Sequence, residues 1–141
     1  MIRPNGVALG ASPPDDINII LTCAAGNEPF DVRLDERSGA LVVSQLFHST
    51  MRTPGAMGLV PQTLSETGDP LGALVLTDHS LAPGMVVAAR PVGVLYVSHD
   101  GGDDVTVLAV PAARLSKRSD TIANYTDVPA AQLRQIAHFF C

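Results

Sequence analysis

Apolar residues recur along this chain in short runs broken by Gly, Pro and charged positions, and the period inside the runs is that of β-strands. Ile17–Cys23 is almost wholly apolar and reads as the first strand. Phe30–Leu34 sets Phe30, Val32 and Leu34 against Asp31 and Arg33, the two-residue alternation of a half-buried strand. A turn at Glu36-Arg37-Ser38-Gly39 leads into a second run over 40–47, so the two predict a hairpin. Residues 51–58, with Pro54, Gly55 and Gly58, read as a loop. In the central stretch, 59–76, two apolar strand-like runs flank a polar loop whose G-D-P turn carries Asp69.

Beyond it, Leu81-Ala82-Pro83-Gly84 predicts a turn, and 85–89, 92–97 and 105–110 predict three strands, the last two separated by an acidic loop over 98–104. Asp127-Val128-Pro129 has the form of a helix start, with Asp127 as N-cap. The helix then predicted over 130–140 places Leu133, Ile136, Ala137 and Phe140 on one face. Residues 1–16, with Pro4, Gly6, Gly10, Pro13 and Pro14, form an irregular lead-in. Many short strands with one late helix predict a mainly β (α+β) fold, a small closed barrel.

At 141 residues the chain is expected to be one domain, 1–141, with a single core. Its core must be aliphatic, because 46% of residues are hydrophobic and only 4% aromatic. No apolar run is long enough to span a membrane, and the N-terminus has no apolar secretory region. Cys23 and Cys141 have no metal-binding spacing, and a reduced, cytoplasmic setting is expected. A net charge of -5 argues against a nucleic-acid partner. Of nine basic residues only Lys117 is lysine, and the arginines are scattered rather than gathered into an anion clamp.

The loop T-L-S-E-T-G-D-P-L resembles the D-G-D-P signature of soluble family I inorganic pyrophosphatases. The E-R-S-G-A-L-V-V hairpin, the L-A-P-G-M-V-V-A-A-R-P-V-G-V-L segment, V-L-A-V-P and the closing Q-I-A-H-F-F extend the similarity over nearly the whole chain. The resemblance implies a five-stranded OB-type β-barrel with a C-terminal helix. It also implies Mg²⁺-assisted hydrolysis of diphosphate, in which carboxylates hold the metal and cationic donors neutralise the phosphates.

Carried over position by position, the resemblance keeps the water-activating aspartate as Asp69 and one metal aspartate as Asp104. Elsewhere it departs. Thr67, Gly72 and His99 stand where further aspartates are expected, and Thr22 where a glutamate is. Asp31, Gln45, Met57 and Thr106 stand where Lys, Arg, Tyr and Lys would meet phosphate, and the closing Tyr-Lys pair would lie just past Cys141. Loss of one preorganised donor costs about 10²–10³ in rate. The expectation is therefore a catalytically inactive binding or interaction module with no cofactor. The alternative is a residual or rebuilt Mg²⁺-dependent diphosphatase around Asp69 and Asp104, with Asp100 or His99 substituting for lost ligands.

Other features are weighed more blandly. Asp31 and Arg33, two apart on one strand and so on one face, read either as an ion pair inside the barrel or as two solvated charges on an edge. Glu66 is a poor substitute for Thr67, since one residue along an extended chain turns the side chain to the other face. Met57 with 54–56 makes the phosphate wall apolar, and its collapse is expected. His48, His79 and His138 have no partners at metal spacing, and His138 is taken as structural. The apolar end, Ala137 to Cys141, is short of the family's closing segment and predicts burial in a homo-oligomer, with an active pyrophosphatase homologue as a further possible partner.

Overall fold

The computed structural model describes residues 9–10, 15–26, 30–35, 37–46, 51–61, 63, 70–77, 79–99, 102–115 and 122–140, with the side chains of 31, 34, 97–99 and 102–104 outside that description. The strands are β1 (Ile17–Cys23), β2 (Phe30–Leu34), β3 (Leu41–Leu46), β4 (Ala56–Val60), β5 (Leu71–Val75), β6 (Val86–His99) and β7 (Gly102–Pro111). A 3-10 turn at Tyr125–Asp127 precedes the helix α1 (Ala130–Phe140). Five strands close a barrel in the order β1-β4-β5-β7-β6, while β2 and β3 form a separate two-stranded sheet. The expected five-stranded barrel with a C-terminal helix is what forms.

The barrel interior follows from strand alternation. Ile17, Ile19 and Leu21 of β1 point inward with Ala56 and Val60 of β4, Ala73 and Val75 of β5, Val87 and Ala89 of β6, and Ala109 of β7. Small alanines at the meeting points let bulkier Ile and Val fill the centre without overpacking. The opposite faces of β5 and β7 are covered over part of their length. Leu74, Leu76, Leu108 and Val110 pack with Val92, Val128 and Ile136 into a second cluster beneath α1. This two-sided burial explains why β5 and β7 read as continuous apolar runs.

Several local expectations change. Residues 56–58 join β4 rather than a loop, because Ala56 pairs with Val75 and Gly58 with both Leu21 and Ala73. The strands expected at 85–89 and 92–97 are one strand, β6. Pro91 is accommodated where the register with β7 shifts between Pro91 and Gly93, and a bulge is where a sheet tolerates proline. The acidic segment is mostly ladder: His99 pairs with Gly102, Ser98 with Asp103 and Val97 with Asp104.

Asp127 does not cap α1. Its carboxylate accepts the amides of Ala123 and Asn124, at 3.0 and 3.2 Å, and so tightens the preceding 3-10 turn. The Pro129 carbonyl opens the helix by accepting the amides of Gln132 and Leu133. On α1 Ile136 is buried and Leu133 and Phe140 pack beside it, but Ala137 is exposed. Among the described residues no helix is long and apolar enough to cross a membrane.

The β2–β3 hairpin is tied at its tip. Gly39, at φ +72°, returns its amide to the Asp35 carbonyl at 2.8 Å, a backbone conformation that favours glycine. The Ser38 hydroxyl donates to the Asp35 carboxylate at 2.6 Å. That bond, with the Arg37 amide, holds the Asp35 carboxyl below its ordinary value.

Candidate functional site

The outer face of the barrel has lateral rows set by strand pairing. Met57 of β4 is paired with Leu74 of β5, and Leu74 with Leu108 of β7. This row lies against the cluster under α1. The next row runs Leu59, Gly72, Thr106 and Leu95, each paired with its neighbour. One row further on, Asp104 of β7 pairs with Val97 of β6. The neutral positions Gly72 and Thr106 thus lie between an apolar, helix-covered row and a row bearing Asp104.

Residues 61–70 connect β4 to β5 and carry Asp69 in sequence. Strand β5 begins at Leu71, two residues past Asp69, and runs parallel to β7 with Gly72 beside Thr106. The start of β5 and the Asp104 portion of β7 therefore share one end of the barrel. Asp69, Thr67, Glu66, Asp100, His48 and Cys141 lie outside the described residues, and for Asp104 and His99 the backbone alone is placed.

Thr63 was not singled out from the sequence, although it lies inside the T-L-S motif. Its hydroxyl donates to the Val60 carbonyl at 2.7 Å and accepts the Leu71 amide at 2.9 Å. Val60 and Leu71 are paired residues at the ends of β4 and β5. One side chain thus joins the strand ends across the base of the Asp69 loop. The signal was a Thr just past an apolar run, where its hydroxyl competes for backbone groups.

Other expected positions disperse. Thr22, almost sealed from solvent, donates its hydroxyl to the Met57 carbonyl at 3.4 Å. Met57 packs against the Leu74 and Leu108 cluster, which is the expected apolar packing of that wall. Asp31 and Gln45 pair across the β2–β3 hairpin. The reading of Asp31 and Arg33 as an ion pair inside the barrel does not fit, because β2 is not a barrel strand and Arg33 is exposed. His79 and His138 are exposed. Cys23 is a buried free thiol.

A family model described as inorganic pyrophosphatase matches residues 25–141. The chain belongs to the inorganic pyrophosphatase family. It is 43% identical over 139 residues to the inorganic pyrophosphatase of Agrobacterium fabrum, covering 99% of this chain and 78% of that protein. It is 41% identical over 136 residues to that of Vibrio cholerae, covering 96% and 77%. In three dimensions it is similar to a crystal structure described as an inorganic phosphatase from Anaplasma phagocytophilum, with a TM-score of 0.90 and 36% identity over 95% of this chain and 78% of that one. The inorganic pyrophosphatase of Thermus thermophilus gives a TM-score of 0.88 at 33% identity, covering 95% and 75%.

These relatives correct the expectation of an inactive interaction module. Identity near 40% along almost the whole chain, with proteins named as inorganic pyrophosphatases, favours the hydrolytic alternative. The expectation of inactivity rested on single positions such as Thr67, Gly72 and His99, whereas the similarity to these enzymes runs along almost the whole chain.

Among the described residues no three His, Cys, Asp or Glu side chains converge as a metal site. The donors that remain to be gathered, Asp69, Asp104 and Asp100, are carboxylates. Their hard oxygens are the chemistry Mg²⁺ takes.

Proposed function

We propose that this chain hydrolyses inorganic diphosphate to two phosphates, using Mg²⁺ held at the shared end of β5 and β7. The observation that carries the reading is the 43% identity to an inorganic pyrophosphatase over 99% of the chain. The strand register supports it, because it brings the start of β5, just past Asp69, to the end of the barrel that bears Asp104.

In this reading Asp104 and Asp69 hold the metal, with Asp100 or His99 completing the set, and Asp69 also accepts a proton from the attacking water. Bound Mg²⁺ supplies Lewis acidity toward phosphate oxygens and makes a bound water more acidic. Thr106 offers a neutral hydrogen-bond group on the barrel where the family resemblance leads one to expect a cation. Neutral bonds are about half as strong as charge-assisted ones, so diphosphate is held less tightly than by a cationic wall.

The test is phosphate release from diphosphate with excess Mg²⁺, with Asp69→Asn prepared identically. Turnover by the wild type that the variant lacks is the expected result. An equal residual rate in both sinks the reading, since it identifies a contaminant. The same proposal places the protein in the cytoplasm as a homo-oligomer. The exposed Val42, Val43 and Leu46 of β3 support self-association. Sedimentation at micromolar concentration checks this, and a monomer would refute it.

A further inference from the structure

We infer that Thr63 is a positioning residue that sets the start of β5 by fastening it to the end of β4 through one hydroxyl. The inference rests on the proposed diphosphatase reading for its catalytic consequence, while its structural part stands alone. A hydroxyl has one proton to give and lone pairs to receive, and Thr63 uses both functions. It donates to the last carbonyl of β4, at Val60, and accepts the first amide of β5, at Leu71. Val60 and Leu71 are themselves register partners. The hydroxyl therefore acts as an added rung where the β4–β5 ladder opens into residues 61–70.

The consequences follow from where that rung lies. Val60 is buried in the barrel core and Leu71 packs beside it, so both anchors are rigid. Leu71 is followed directly by Gly72, whose partner is Thr106, two residues past Asp104. A change in how β5 begins is transmitted to the Gly72–Thr106 row. Thr63 touches no reacting atom in this account. It acts through the backbone at the start of β5.

Two variants separate positioning from general stabilisation. Thr63→Val keeps the shape and removes the hydroxyl, and Thr63→Ser keeps the hydroxyl and removes the methyl. Amide hydrogen exchange at Leu71 is followed without metal or substrate, and the urea midpoint is measured in parallel. Thr63→Val should speed Leu71 exchange at least tenfold, and Thr63→Ser should leave it near wild type. In the diphosphate assay, Thr63→Val should lower kcat by about 10- to 100-fold and raise the Mg²⁺ concentration needed for half-maximal rate, and Thr63→Ser should restore both.

Unchanged Leu71 exchange in Thr63→Val overturns the inference whatever the assay shows. So does a drop in urea midpoint with kcat and Mg²⁺ dependence unaltered, or a Thr63→Ser chain as impaired as Thr63→Val. Absence of Asp69-dependent turnover in the wild type instead removes the diphosphatase reading, and with it the kinetic half of the inference. The exchange result then decides whether the clamp exists.

Discussion

Gly72 of β5 lies directly beside Thr106 of β7 across a parallel rung, and among the described residues a Cβ added at Gly72 would meet only the Thr106 Oγ1, at 3.8 Å. That is ordinary van der Waals contact, so the position accepts a side chain. Gly72→Asp would add a carboxylate on the outer face, next to the row bearing Asp104. Because one preorganised group is worth about 10²–10³ in rate when fully aligned, even partial alignment should raise Mg²⁺-dependent phosphate release about tenfold. Rates across a Mg²⁺ titration check this. A rate no higher than wild type would remove the Gly72–Thr106 row from the site.

Gly93 presents the opposite case. A Cβ there would lie 2.7 Å from the Tyr125 Cβ and 3.2 Å from its ring. Tyr125 therefore closes the 3-10 turn onto the bare backbone of β6 just past the bulge. Gly93→Ala should cost about 1–3 kcal/mol by overpacking. Since the nearest atom is the Tyr125 Cβ, Tyr125→Ala does not relieve the clash, whereas Tyr125→Gly does. In a Tyr125→Gly background the cost of Gly93→Ala should fall to within about 0.5 kcal/mol, as read from urea unfolding. Equal costs in both backgrounds would show that the contact is slack.

The barrel was legible in the sequence because alternation and turn chemistry are local. Gly39 and Gly84 take the positive φ that the S-G and P-G turns imply, and the apolar runs of β1, β5 and β7 announce burial. What failed was non-local. Pro91 looks like a break, yet the partner strand absorbs it through a register shift. Asp127 looks like an N-cap, yet the chain upstream supplies amides at Ala123 and Asn124 that bind its carboxylate first. Ala137 fits the helical period but falls beside the packed stripe rather than in it. Asp104 and Asp69 are legible as candidate ligands. That β5 and β7 run parallel, which brings their two ends together, is not.

Helix α1 is anchored through Ile136, which is 3% exposed and packs with Leu74, Leu108, Val110 and Val128. Ile136→Ala should cost about 2–5 kcal/mol, because the barrel wall cannot move in to fill the gap. One residue on, Ala137→Lys should change stability by no more than about 0.5 kcal/mol, as exposed positions do. Urea midpoints of the two variants provide the comparison. Similar costs at both positions would mean the helix face is assigned wrongly.

Cys23 gives stability an alkaline limit. Burial pushes its thiol above the ordinary value, and a hydrogen bond with Thr53 opposes that shift only in part. The Cys23 Sγ donates to the Ala24 carbonyl at 3.6 Å, and the Thr53 hydroxyl donates to the same oxygen at 2.9 Å. A thiol whose folded value is raised holds its proton longer in the native chain than in the unfolded one. Its contribution is therefore complete below the unfolded value of about 8.5 and is lost as pH rises toward the folded value. In a Cys141→Ser background the urea midpoint should fall between about pH 7.5 and pH 10, on either side of that range. With Cys23→Ala added, the fall should be smaller, leaving only what other groups contribute. Folded protein should also react slowly with thiol reagents near neutral pH, because the thiolate is scarce and the sulfur is covered. An identical alkaline fall with and without Cys23, or fast labelling of the native chain, would show that the thiol is neither buried nor shifted.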